Sequence, residues 1–215
     1  MAALNWIEEL KALLGNAQTA GDEGVWLDNT LGVAGTAYPI GTPGMPVSNL
    51  ADARTICTAR KTRKIMVRAT ATLTIDVAMI GYEFVATGKD EVNIDLNGQD
   101  CGLSLFSGFN IAGACASTSL TRFNDCDISG VTDFWGIAYN CITYGMDFYD
   151  VGTNSCFYNC ESVEGVSGAT FTVRNHILYL VGWKGPLTIR TVDDAASRVN
   201  IYANGSKVTI HSSCS

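Results

Sequence analysis

Six carboxylates crowd the middle of this 215-residue chain: Asp125, Asp127, Asp133, Asp147, Asp150 and Glu161. A pair of carboxylates flanking a sugar linkage can hydrolyse it, one as acid and one as base or nucleophile. Asp125 and Asp127, however, read as bend residues of a repeat, and the other four fall where loops are expected. The cysteines offer little more. Cys156 and Cys160 lie four apart without a second close pair of Cys or His, so no zinc site is expected. His176 reads as a stacked core residue rather than a base, and His211 falls in a terminal strand. No Ser-His-Asp set, phosphate loop or metal-ligand set emerges. The chain is therefore expected to be no enzyme and to carry no cofactor. Four aromatics, Phe134, Trp135, Tyr149 and Trp183, are candidates for exposed sugar contacts.

The repeat organises everything around these residues. Its copies are Phe123-Asn124-Asp125-Cys126, Ala138-Tyr139-Asn140-Cys141, Phe157-Tyr158-Asn159-Cys160 and Val173-Arg174-Asn175-His176, with steps of 15, 19 and 16 residues. A near-fixed period marks a stacked architecture, and one this short is below the roughly 33–47 residues of helical-hairpin repeats. Asn and Asp suit the bend between strands because they tolerate left-handed backbone. Cys packs as a small apolar residue. Two residues beyond, in the same strand phase, stand Ile128, Thr143, Ser162 and Leu178. The phrase is thus expected to mark one coil each time, with its fourth position inside.

Composition agrees. Hydrophobic residues make up 47% of the chain and charged residues 16%, and Gly is abundant at 22 against 4 Pro. Ordinary globular chains are roughly 25% charged. Low charge with many Gly and β-branched residues suits an all-β fold. The net charge of −7 argues against a general nucleic-acid binder. The one basic cluster, Arg60, Lys61, Arg63 and Lys64, is expected to be a solvated helix end. No stretch approaches the roughly 20 apolar residues of a membrane helix. Residues 1–15 carry Glu8 and Glu9 and do not resemble a signal peptide. The eight cysteines are therefore expected as free buried thiols from a reducing cytoplasm, and Asn204-Gly205-Ser206 as a turn.

Asn5-Trp6-Ile7-Glu8 forms a capping box and Gly15 a stop. Between them Leu4, Ile7, Leu10 and Leu14 share one side of a helix, with Trp6 and Leu13 flanking. Ten residues are too few for a helix stable alone in water, so it needs a partner. Residues 1–15 are read as a docking helix and residues 16–47, rich in Gly and Pro, as an extended arm in which Val25-Trp26-Leu27-Asp28 can add one strand. Leu4, Trp6, Ile7, Leu10, Leu14 and Trp26 are the expected docking residues. A second helix, capped by Ser48-Asn49, spans about 49–61 with Leu50, Ala53, Ile56, Cys57 and Arg60 in phase. Strands are expected at 64–69, 71–75, 82–85 and 92–98, the last alternating cleanly. A helix before a stack of short strands can cover an otherwise open sheet end, so 48–98 is read as a capping helix and first coils. Residues 99–215 form the body. Late β-rich runs there recur every 9 to 12 residues, about two strands per coil.

Two stretches carry a resemblance. Gly35-Thr36-Ala37-Tyr38-Pro39-Ile40-Gly41-Thr42-Pro43 and Pro46-Val47-Ser48-Asn49-Leu50-Ala51-Asp52-Ala53 resemble a family of tailed-bacteriophage minor structural or fibre-like virion proteins. The likeness continues through Gly81–Val85 and Ile94–Gln99 and resumes at Val199–Tyr202 and Val208–His211. It implies a right-handed parallel β-helix, a homotrimer, on a phage particle. Strands of that family continue beyond the Ser212-Ser213-Cys214 region, where this chain stops.

Three functions compete on this basis. The favoured one is a virion structural protein (a capsid decoration, head fibre or tail fibre-like trimer). Residues 1–47 would attach it to capsid, neck or tail proteins after synthesis in the host cytoplasm. The second is an adhesin for host-surface glycan through Phe134, Trp135, Tyr149 or Trp183. The third is a polysaccharide depolymerase, a class whose β-helices tend to be much longer.

Overall fold

The computed structural model describes residues 24–69, 71–88, 91–115, 120–132, 134–148, 154–162, 168–173, 177–191, 198–202 and 208–210. The docking helix with Leu4, Trp6, Ile7, Leu10 and Leu14 lies outside the described residues, as do Asp133, Tyr149, Asp150, His176 and His211. The described elements begin with β1 (Val25–Leu27), α1 (Leu50–Arg60), β2 (Lys64–Val67), β3 (Leu73–Thr74), β4 (Glu83–Ala86) and β5 (Val92–Asp95). They continue with β6 (Leu105–Ser107), β7 (Phe109–Ala114), β8 (Thr121–Asn124), β9 (Asp127–Thr132), β10 (Gly136–Tyr139), β11 (Ile142–Thr143) and β12 (Gly145–Phe148). The last are β13 (Asn154–Tyr158), β14 (Glu161–Ser162), β15 (Ala169–Val173), β16 (Ile177–Val181), β17 (Leu187–Thr191), β18 (Arg198–Tyr202) and β19 (Val208–Ile210). They form two compact units. One takes the described residues up to Ala71 together with Glu83–Val92, and the other takes Thr72–Tyr82 and the described residues from Asn93 onward.

In the first unit the helix begins where its cap dictates. Asn49 is extended, at φ −145°, and its side chain accepts a hydrogen bond from Asp52 N at 2.8 Å. The Asn49 amide in turn donates to Asp52 Oδ2 at 2.8 Å, and Gly35 N donates to the same oxygen at 2.8 Å. These bonds, the one from Asn49 first, hold the Asp52 carboxyl below its ordinary range. Lys61, left-handed at φ 55°, ends the helix. Leu50, Ala53, Ile56 and Cys57 form the buried face, as the periodicity predicts. Beside it, β1 pairs in parallel with β2, and β2 with β4, stacking Val25 on Ile65 and Ile65 on Phe84.

Two expectations fail in this unit. Residues 24–47 are not an extended arm. Trp26 N donates to Gly41 O at 3.1 Å, Val47 N to Trp26 O at 2.9 Å and Asp28 N to Val47 O at 2.9 Å, so the chain folds back over β1. Trp26 stands half-buried opposite Met66 in β1, the one strand expected in this stretch. The basic cluster is not wholly solvated either. Arg60 donates to Gly41 O at 3.0 Å and Ile40 O at 2.9 Å, tying the Gly-rich loop to the helix, and Lys64 meets Glu83 at 3.5 Å. The loop's backbone acceptors need donors, and a long guanidinium supplies them.

The second unit is a parallel β-solenoid. Three sheets run along it, in the orders β6-β8-β10-β13-β16-β18, β3-β5-β7-β9-β11-β14 and β12-β15-β17-β19. The solenoid makes about six turns. Its middle coils carry three strands each, as in β10-β11-β12 and β13-β14-β15, and among the described residues the late coils β16-β17 and β18-β19 carry two, as expected. Strand alternation places every second side chain inside, as in the buried Leu178 and Leu180 of β16 and the buried Ala169, Phe171 and Val173 of β15.

Candidate functional site

The bend ladder accounts for most of the residues that could have done chemistry. Asp125, Asn140 and Asn159 are left-handed, at φ 52°, 51° and 52°. Each donates its backbone N–H to the next coil: Asp125 to Tyr139 O, Asn140 to Tyr158 O and Asn159 to Val181 O, at 3.0, 2.9 and 2.8 Å. The Asp125 carboxylate accepts from Asn124 at 2.7 Å and from Asn140 at 3.2 Å, so it braces the ladder. Cys126, Cys141 and Cys160 follow, all buried, with Ile128, Thr143 and Ser162 buried two residues later.

Beyond Asn159 the ladder runs to Gly182, at φ 69°, whose N–H donates to Tyr202 O at 2.8 Å. Backwards it runs to Gly108, at φ 78°, bonded to Asn124 O. The next rung after Asn159-Cys160 is Gly182-Trp183; Asn175-His176, the expected fourth copy, lies outside the described residues. β13 pairs Tyr158 with Val181, so Trp183 stands in the cysteine column. Leu178 belongs to β16 rather than to the column of Ser162.

The seven described cysteines are thiols, all buried except the half-buried Cys156. Burial pushes the Cys57 and Cys101 thiols up to about 12. The bond to Cys141, together with burial, raises Cys126 as well. Those three are inert packing groups, while the hydrogen bond with Cys141 lowers the buried Cys160 thiol. Among the described residues no cluster of three or more His, Cys, Asp or Glu could hold a metal ion.

Two of the four expected sugar-contact aromatics lie in the core. Inside the solenoid Phe106 stacks on Phe123 at 5.6 Å, Phe123 meets Phe134 at 5.6 Å, and Phe134 meets Phe157 at 5.1 Å. Phe171 follows at 5.3 Å and Trp183 at 5.3 Å from it. The register sets Phe123 opposite Ala138 and Ala138 opposite Phe157. Phe134 is pulled inside because its ring fills the gap left by Ala138. Phe134 and Trp183 are therefore corrected from surface to core, at 2% and 0% exposure. Trp135 is half-buried, and Tyr149 lies outside the described residues.

The outward aromatics are others. Tyr139 and Tyr158 stack at 5.1 Å and 12° on the outer face of β10 and β13. Val181 and Tyr202 continue their column, and Cys156 and Tyr179 stand in the next. The neighbouring Cys156 raises the Tyr158 phenol. Rings stacked this way turn their edges, not their faces, outward.

Of the six carboxylates, Asp127 and Glu161 share an outward column. Both pair with Ile142 of β11, which stands between them. Two strand spacings make about 9.6 Å, too far for the roughly 5 Å of a retaining pair and at the outer edge of the roughly 6.5–9.5 Å of an inverting one. Asp127 instead lines a groove of about 300 Å³ with Thr72, Asn93, Ile94, Asn110, Ile111, Ala112, Ser129 and Gly130. Ser129 N donates to Asp127 Oδ1 at 2.8 Å. A bulge shapes this groove: Asn110 pairs with Asp127 but Ala112 with Gly130, so β9 carries one extra residue. A Cβ on Gly130 would come within 2.8 Å of Ala112 Cβ, so glycine keeps the floor low. The sequence reading missed Asn93, Asn110 and Ser129. The legible signal was polar residues at outward strand positions, but their convergence depends on the bulge.

Set against protein-family models, curated proteins and solved structures, the chain matches none of them.

Proposed function

We propose that this chain is a structural protein of a tailed-bacteriophage particle, a non-enzymatic homotrimer of right-handed β-solenoid columns. Residues 1–23 attach it to capsid, neck or tail proteins, and α1 covers the open end of the first coil. The observation that carries this reading is the use of the chemistry-bearing residues as architecture. Asp125, Asn140, Asn159 and the buried cysteines brace bends and fill the column. What remains is a ladder built for rigidity. The outward Tyr139, Tyr158, Tyr179 and Tyr202 favour side-by-side packing of columns, since aromatic residues are enriched where proteins meet, and cyclic symmetry is a common way for identical chains to close. Light scattering at micromolar concentration tests the assembly: a trimer mass is expected, and a monomer refutes it. Deleting residues 1–23 is expected to leave a folded body that no longer binds particles. Retained binding would contradict the attachment.

A further inference from the structure

The groove over β5, β7 and β9 has its own chemistry. Its polar lining comprises the carboxylate of Asp127, the carboxamides of Asn93 and Asn110 and the hydroxyls of Thr72 and Ser129. Among the described residues no Lys or Arg lines it, so nothing there favours an anionic ligand. Ile94, Ile111 and Ala112 supply an apolar floor. The lining residues follow one another across successive coils, at about 4.8 Å per strand. The groove therefore runs along the stack and suits an extended ligand. The bulge in β9 borders the groove, and bulges of this kind re-aim side chains beside binding sites. It carries Ser129, whose Oγ is buried with no hydrogen-bond partner in the protein. Ser129 lines the groove, where a ligand hydroxyl would satisfy it.

We propose that this groove binds a neutral oligosaccharide. Asp127, Asn93 and Asn110 take the sugar hydroxyls, and Ile94 and Ile111 lie against the C–H face of the rings. Carboxylate and carboxamide oxygens accept from hydroxyls, and the amide N–H groups donate back, which fits a polyol better than a peptide edge. The site is independent of the virion role: its failure would leave the trimeric column standing, and the converse holds.

Saturation-transfer NMR of the full chain tests it, with millimolar maltotriose, cellotriose and chitotriose against a galacturonic acid trimer. At least one neutral trisaccharide is expected to bind and the acidic one not. Asn93→Ala changes an exposed side chain, and Asp127→Asn keeps the acceptor for Ser129 N. Each is expected to weaken binding about tenfold, the loss of a hydrogen bond to sugar, with an unchanged melting temperature. Binding of no neutral sugar, equal binding of the acidic trimer, or undiminished binding by both variants overturns the proposal.

Discussion

A left-handed backbone position accepts glycine freely and asparagine or aspartate at small cost, but penalises other side chains by about 1–2 kcal/mol. Asn140, at φ 51°, is such a position, with an exposed side chain. Asn140→Val is expected to destabilise the fold by about 1–2 kcal/mol in urea titration, and Asn140→Gly by clearly less. Equal losses would mean the bend is not what selects the residue. The thiols make a second prediction. Cys57 and Cys101 have folded values near 12, above the ordinary 9.0. A group raised in the folded state stabilises it fully below the unfolded value and loses that contribution as pH climbs towards the folded one. The melting temperature is therefore expected to fall from about pH 9 upward, and Cys57→Ala with Cys101→Ala to flatten that fall. A melting temperature level to pH 11 would contradict it. The bend phrase was legible in the sequence because both of its demands, left-handed backbone and a small core residue, select particular letters. Gly182-Trp183 was not, because glycine meets the first demand with another letter and tryptophan fills the column with a large ring where the phrase has a small thiol.

At the scale of elements, the helix was readable from its cap and its apolar phase. Asn49→Ala is expected to cost about 1 kcal/mol, read by thermal unfolding. The strands were readable from alternation, but their grouping into three sheets was not. Where a chain turns depends on how coils stack, and short strands of two residues such as β11 leave no pattern. The same limit hid the core aromatics. Phe134 lies between strands, so no periodicity assigns it a side, and only the gap over Ala138 draws it inward. Phe157 touches Phe134, Phe171 and Trp183. Phe157→Ala is accordingly expected to cost about 3–5 kcal/mol in urea titration, while Trp135→Ala, at a half-buried position, costs much less. A loss below about 1 kcal/mol at Phe157 would show that the aromatic stack does not hold the coils together.

For the whole molecule, composition and the repeat pointed to an all-β solenoid, and the parallel sheets bear that out. The groove was beyond sequence reading, since Asn93, Asn110 and Asp127 lie on three different coils and meet only through register. No helix among the described residues is long and apolar enough to cross a membrane. The account makes the column a fixed part of a phage particle, its bends and core devoted to stiffness. Electron cryo-microscopy of purified particles decorated with an antibody to this chain tests that claim most directly. It predicts label at one recurrent position, in threefold units, lost when residues 1–23 are deleted. Purified particles that carry none of this chain would contradict it.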